Sequence, residues 1–166
     1  MSARAKPKLG RYIEKLADSL TDLGVEYRKI GERHATEHDI YHTTHALAKQ
    51  CVGQAAALAP HAARHGGETN DEEGSKESLL VGLRRATAAL VGRSPLTGMF
   101  LLRDLRQLHL EIEESAMLWT IVGQGAYAAR DAELLALVEK SREEITHQLM
   151  WVTTRIKETA PQVLTA

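Results

Sequence analysis

Four of the eight histidines lie in the short segment HATEHDIYHTTH, as His34, His38, His42 and His45. On a helix, a rotation of about 100° per residue brings three of these rings within about 40° of one another, and leaves His42 about 80° from His34. Imidazole and carboxylate groups spaced three and four residues apart converge, as helical metal sites require. The segment predicts a metal-binding face with His34, Glu37 and His38 as ligands and Tyr41 and His45 as supporting groups.

Two further pairs of residues could complete such a site. His109 lies one helical turn before Glu113, and Glu144 and His147 have the Glu-x-x-His spacing of di-iron helical bundles. Because His147 lies about 200° from the apolar stripe of its helix, we expect it to face solvent. We therefore predict His109 and Glu113 as ligands, with Glu144 and His147 as second choices.

The same residues also permit a role without metal. Polar side chains in a helix seam are commonly hydrogen-bonded residues that fix register or partner choice. The expected short helix 75–91 has no histidine and, near its start, the single carboxylate Glu77, whereas a regular di-iron site takes ligands from every helix. The main alternative is thus a non-enzymatic dimer with a His-containing polar seam, and a carrier of apolar ligands is a third possibility.

Apolar residues at spacings of three and four place these groups on long helices. The stripes are Ile13, Leu16, Leu20, Leu23, Tyr27 and Ile30; Leu101, Leu105, Leu108, Ile112, Trp119, Val122 and Ala126; and Leu134, Val138, Ile145, Leu149, Val152 and Ile156. The first stripe continues to Ala55 and predicts an extended first helix that stops near Pro60. At about 75 Å this helix would be longer than its partners, so Gly24 and Gly31 are expected points of interruption.

Punctuating residues predict the remaining boundaries. Glycines and charged residues indicate a flexible loop over about 61–75, and a short helix is then expected over 75–91. The third and fourth helices are separated by only a residue or two, which predicts an antiparallel hairpin. Asp131 is the expected N-cap of the fourth helix, which should stop before Pro161.

Composition limits the class of protein. A chain of 166 residues with 43% hydrophobic content suits a single domain, 1–166, and a net charge of −1 gives no electrostatic signature for nucleic acid. No apolar run reaches the roughly 20 residues that span a bilayer, and no secretion signal is recognisable. The lone Cys51 excludes an internal disulfide, so we expect a cytoplasmic protein and a packing role for this thiol.

The run from Leu108 to Leu164, beginning LHLEIEESAMLW, resembles bacterial stress-associated proteins of the ferritin-like class. The resemblance covers about a third of the chain. It implies a ferritin-like four-helix bundle, which in some members holds a di-metal carboxylate centre. Glu113 would then be a lone carboxylate ligand, and Glu144 with His147 a Glu-x-x-His pair. The first half departs from this pattern, because His34, Glu37 and His38 stand where a Glu and a second Glu-x-x-His pair would be expected.

Together these features predict an all-α protein, an antiparallel four-helix bundle of the ferritin-like type with an extended first helix. The predicted function is metal binding, with iron or another divalent transition metal as cofactor and with iron or oxygen handling, or a stress-related role, as its chemistry. The expected partner is a second copy of the chain, with neither nucleic acid nor membrane. The metal-free dimeric interaction protein remains the alternative.

Overall fold

The computed structural model describes residues 8–67 and 95–166. Within these two ranges the protein is all-helical and contains no strand. The described ranges contain four helices: α1 (Lys8–Arg33), α2 (His38–Arg64), α3 (Pro95–Ala129) and α4 (Ala132–Leu164). None of these four helices is both long and apolar enough to cross a membrane.

The helices α1 and α2 form a closely packed helical hairpin. Gly31, near the end of α1, lies against Thr44 near the start of α2, and Gly10, near the start of α1, lies against Gly67 just after α2. Midway, Gly24 faces the Cβ of Cys51. The two helices therefore run in opposite directions, and glycines of α1 lie against α2 and the residues that follow it.

The helices α3 and α4 form a second hairpin of the same kind. Gly123 faces Val138, and Gly98 at the far end faces Val163, so these helices also run in opposite directions. Their two-residue connection consists of Arg130, whose φ of 55° is in the left-handed region, and Asp131, which caps α4 by accepting a hydrogen bond from the amide of Leu134.

The first hairpin packs on the second mainly through α1 against α3. Ser19 and Ser115 share a hydrogen bond of 3.0 Å across this contact. The backbones of α2 and α4 lie farther apart and are bridged by long side chains. Residues 68–94 connect α2, which ends beside the α3–α4 turn, to α3, which begins at the opposite end of the molecule.

The predicted apolar stripes form the core, which confirms the helical spacing read from the sequence. The stripes of α1 and α3 are buried throughout, and in α4 four members are buried while Leu149 and Ile156 are partly buried. Ile40, Cys51 and Leu58 of α2 complete the core. Side chains spaced three and four residues apart therefore face one common interior.

The extended first helix is not what the structure contains. The helix ends at Arg33, residues 34–37 form a turn, and a separate helix begins at His38. The interruption falls just after Gly31, one of the two expected weak points, and not at Gly24, which is inside α1. A buried partner for His34 on α3 accounts for the position of the turn.

Two proline boundaries also differ from expectation. Pro60 lies inside α2, which continues to Arg64, and Pro161 lies inside α4, which continues to Leu164. Both prolines are exposed. At these positions, water can hydrogen-bond the carbonyl group that loses its helical partner, so the helices continue. The predicted helix 75–91 and most of the loop 61–75 lie outside the described residues.

The close contact at Gly31 yields a first prediction. A Cβ there would clash with Oγ1 of Thr44, which is buried and donates a hydrogen bond of 2.8 Å to the carbonyl of Ile40. Gly31→Ala should therefore lower the free energy of unfolding by about 1–3 kcal/mol, although alanine is the better helix former. Urea denaturation measures this change.

Gly53→Ala is the matched control, since Gly53 is an exposed residue of α2 and a Cβ there meets no described atom within 4 Å. This variant should gain about 0.5–1 kcal/mol from helix propensity alone. Equal effects of the two substitutions would contradict the close packing of α1 on α2.

Candidate functional site

A buried carboxylate joins the two hairpins at the α1–α2 turn. Asp104 of α3 accepts hydrogen bonds from Nε2 of His34, at 2.9 Å, and from the guanidinium of Arg33. Its other oxygen accepts from Arg103 at 2.9 Å. Only 5% of Asp104 and 3% of His34 are exposed, whereas the two arginine side chains reach the surface.

The partners of Asp104 decide its protonation state. Burial alone would raise the pKa of this carboxyl group. Hydrogen bonds from His34, Arg33 and Arg103 outweigh burial and lower the pKa from 3.8 to about 2. The carboxyl group of Asp104 is therefore an anion at every physiological pH. Arg33 and His34, at the end of α1, stabilise its charge.

A second carboxylate joins the hairpins at the opposite end. Asp131, the N-cap of α4, accepts a hydrogen bond of 2.8 Å from Nε2 of His65, which follows α2. The amide of Leu134 lowers the pKa of Asp131 most, and burial, which would raise it, is outweighed with the help of His65 and Arg64. Arg64 in turn donates to Nδ1 of His61 at 2.6 Å.

His61 lies at the centre of this second cluster and is mainly buried. Burial lowers its pKa, and the neighbouring Arg64 lowers it further. The neutral ring can therefore accept the hydrogen bond from the guanidinium. The cluster thus has two carboxylate acceptors: Asp131, which accepts from His65, and the exposed Glu133 of α4, which accepts from Arg64 at 2.8 Å.

Between the two ends, uncharged polar groups meet in the core. The hydroxyl of Tyr27 in α1 donates to Oε1 of Gln148 in α4 at 3.0 Å, and Nε2 of Gln148 donates to Oε1 of Gln50 in α2 at 2.7 Å. The thiol of Cys51 lies beside Gln148, and burial raises its pKa to about 12. At that pKa the thiol is protonated at neutral pH and is a poor nucleophile.

One carboxylate also reaches this central region. Nε2 of Gln54 donates to Glu144 of α4 at 2.6 Å, while Oε1 of Gln54 and the hydroxyl of Ser141 have no partner among the described residues. We call the contacts of Asp104, Asp131 and this central group the interhairpin polar contacts. Nearly every donor in them is used within the chain, so they can hold the hairpins together but leave few groups for a substrate.

An open groove between α1 and α3 presents a different kind of polar surface. Burial, followed by repulsion from Asp22, raises the pKa of Asp18, and burial raises that of Glu111. The groove is lined by Lys15, Asp18, Asp22, Glu26, Lys29, Gln107, Glu111 and Glu114, among others. These side chains form a solvated acidic surface.

The residues predicted to bind metal are not gathered at one point. His34 is buried and bound to Asp104, whereas Glu37 and His38 are exposed at the start of α2. On α3, His109 is half-buried and Glu113 is exposed. In the described ranges, no group of three or more His, Cys, Asp or Glu side chains is arranged to hold a metal ion.

The second-choice residues are likewise dispersed. The rings of Tyr41 and His45 stack with centroids 4.2 Å apart, and Nε2 of His45 lies 3.1 Å from Glu32. Glu144 is half-buried and bound to Gln54, and His147 is exposed. The turn at 34–37 separates His34 from the α2 residues His38, Tyr41 and His45, because the predicted face required one continuous helix from His34 to His45.

Sequence reasoning missed most of the groups that the structure brings together. Asp104 and Asp131 lie in or beside the third and fourth helices, and Asp131 was expected only as a cap. Gln148 follows Ile145 by three residues and Gln54 follows Cys51 by three, so both fall on buried helix faces. A polar side chain on an apolar stripe was the available signal.

Comparison of the chain with protein-family models, curated proteins and solved structures finds no match. The interhairpin polar contacts are therefore the basis for a functional assignment. Their two ends each combine an aspartate of the second hairpin with histidine and arginine of the first.

The contacts at Asp104 yield a second prediction. Asp104→Asn should lower the free energy of unfolding by about 3 kcal/mol at pH 7, because a buried charge-assisted network loses its acceptor. The pKa of Asp104 is depressed on folding, so its contribution is complete above pH 3.8 and is lost as pH falls towards 2. The difference between wild type and variant should shrink by about 1 kcal/mol between pH 5 and pH 3.

Urea denaturation across this pH range measures the effect. Asp39→Asn is the control, since Asp39 forms a 2.7 Å ion pair with Arg155 but is 59% exposed. It should cost less than about 1 kcal/mol. A pH-independent loss in Asp104→Asn would show that the carboxylate is not stabilised as described.

Proposed function

We propose that this chain is a non-enzymatic structural or interaction protein that acts as a homodimer, and that its interhairpin polar contacts fix how its two hairpins pair. The observation that carries the structural role is the engagement of both buried histidine clusters with aspartates of the opposite hairpin. His34 binds Asp104 and His65 binds Asp131. In a catalytic cluster such groups would instead converge on an open space.

The energetics of burial support this role. Removing one partner of a buried charged pair costs about 3–5 kcal/mol, since the other partner is left in a medium of low dielectric. A shift of α1 by one turn along α3 would separate His34 from Asp104. The polar contacts therefore disfavour every alternative register more strongly than apolar packing alone would.

We further propose that the fold is an antiparallel four-helix bundle of the ferritin-like type. Two features support it: the helices of each hairpin run in opposite directions, and one long connection, residues 68–94, joins ends that lie far apart. Ferritin-like bundles have one such crossover. The interior differs from the di-iron members of that class, since it carries Tyr27, Gln50, Gln54 and Gln148 beside the carboxylate of Glu144.

The second candidate function is metal binding, with iron or another divalent transition metal and a role in iron or oxygen handling or in stress. The order of the helices favours it, because ferritin-like bundles frequently hold di-metal centres. Its ligands would be His34, Glu37, His38, His109 and Glu113. In this case His34 would have to leave Asp104, which would then lack its imidazole donor.

Metal analysis separates the two candidates and provides a third prediction. Protein purified without chelator and incubated with Fe²⁺ or Zn²⁺ should retain far less than one ion per chain after desalting. His38→Ala and Glu113→Ala should behave as wild type does, since both residues are exposed. Inductively coupled plasma mass spectrometry gives the metal content.

His42→Ala is the control, because the exposed His42 belongs to neither candidate site. One or more ions per chain, lost in both His38→Ala and Glu113→Ala but kept in the control, would establish the metal site and overturn the first proposal.

A further inference from the structure

The outer surface of α3 carries a line of exposed apolar side chains. They are Met99, Leu110, Met117 and Ile121, and we call them the outer face. At about 100° per residue they lie within about 40° of one another and roughly opposite the buried stripe of the same helix. A helix with apolar side chains on two opposite sides typically packs against other protein surfaces on both sides.

Charged residues divide the outer face into two halves. Arg103 and Arg106 precede Leu110, and Glu113 and Glu114 follow it. Arg106 and Glu113 share one edge of the face, about 20° apart around the axis, and Arg103 and Glu114 share the other. Across the ranges that the structure describes, Arg106, Glu113 and Glu114 form no ion pair. The face is thus basic on one side of Leu110 and acidic on the other.

We infer that the outer face binds the same face of a second copy of the chain, with the two α3 helices antiparallel about a two-fold axis at Leu110. This inference rests on the proposed function as a homodimer and adds the surface and the orientation. The axis lies near the middle of Pro95–Ala129, so the two helices overlap along most of their length. Two-fold symmetry is the commonest arrangement of homodimers.

Charge complementarity favours a second copy of the chain as the partner and an antiparallel orientation of the two α3 helices. A two-fold axis perpendicular to the helices brings the same edges of the two faces together, which places Arg106 of one copy beside Glu113 of the other. The same axis places Met99 beside Ile121. A parallel pairing would instead oppose arginine to arginine and glutamate to glutamate at each level, which is unfavourable.

Leu110→Glu provides the first test, because each copy would then place a carboxylate against its equivalent at the axis. Sedimentation equilibrium over a concentration series should show a dimer for the wild type and a monomer for the variant. Met150→Glu is the control, since Met150 is an exposed apolar residue of α4 outside the outer face, and it should remain dimeric. Circular dichroism checks that both variants keep the helical fold.

A charge exchange tests the orientation of the two α3 helices. Arg106→Glu and Glu113→Arg should each raise the dissociation constant of the dimer about tenfold, because symmetry turns one reversed charge into two repulsive contacts. The double variant, Arg106→Glu with Glu113→Arg, should return to within about threefold of the wild type. Two single effects that simply add in the double variant would exclude this pairing.

The outcomes keep this inference separate from the proposed function. A dimer that Leu110→Glu does not disrupt overturns the assignment of the outer face but leaves the homodimer. A monomeric wild type overturns both the dimer and this face. Stoichiometric metal binding that is lost in Glu113→Ala overturns the structural role. Because it makes Glu113 a metal ligand, it also overturns the pairing of Glu113 with Arg106 across the axis.

Discussion

The carboxylate of Asp104 constrains how the first hairpin can lie on the second. It is almost completely buried, and an ion in that position is tolerated only with donors on several sides. Arg103 of α3 itself is one donor, and the others come from the last residue of α1 and from His34, directly after it. The chain therefore has to leave the helix where His34 can reach α3, and this sets the start of α2.

Asp131 imposes a similar constraint at the other end. It caps α4 through the amide of Leu134 and also binds His65 beyond the end of α2. The first hairpin is thus fixed to the second at both of its ends. Between these points the apolar stripes can meet in one register, and Gln148 links Tyr27 of α1 to Gln50 of α2 within it.

The sequence predicted those features that depend on one helix alone. Apolar residues at spacings of three and four identified the buried faces of α1, α3 and α4, because this periodicity is a property of each helix alone. The turn at 34–37 was not located, since no proline or glycine occurs in HATE, and the competing helical reading was equally regular. The position of the turn is determined by the tertiary contact of His34 with Asp104.

The candidate site was less predictable for the same physical reason. A metal-binding face was inferred from residues that share one helix, whereas the groups that meet come from different helices. Asp104 stands one residue before the core residue Leu105, and nothing local distinguishes it from a solvated aspartate. Gln54 and Gln148 could have been recognised as polar groups on buried faces, but their partners could not.

The burial of Cys51 beside Gln148 also determines how readily the chain is chemically modified. Cys51 is the only cysteine, and its thiol is buried with a pKa raised to about 12, so we expect oxidants and alkylating reagents to react with it slowly while the helices remain packed. Covalent modification must wait for α2 to separate from α1 and α4. The rate at which the thiol of Cys51 is modified therefore measures how often local unfolding exposes it, so the native chain can be studied without an added label.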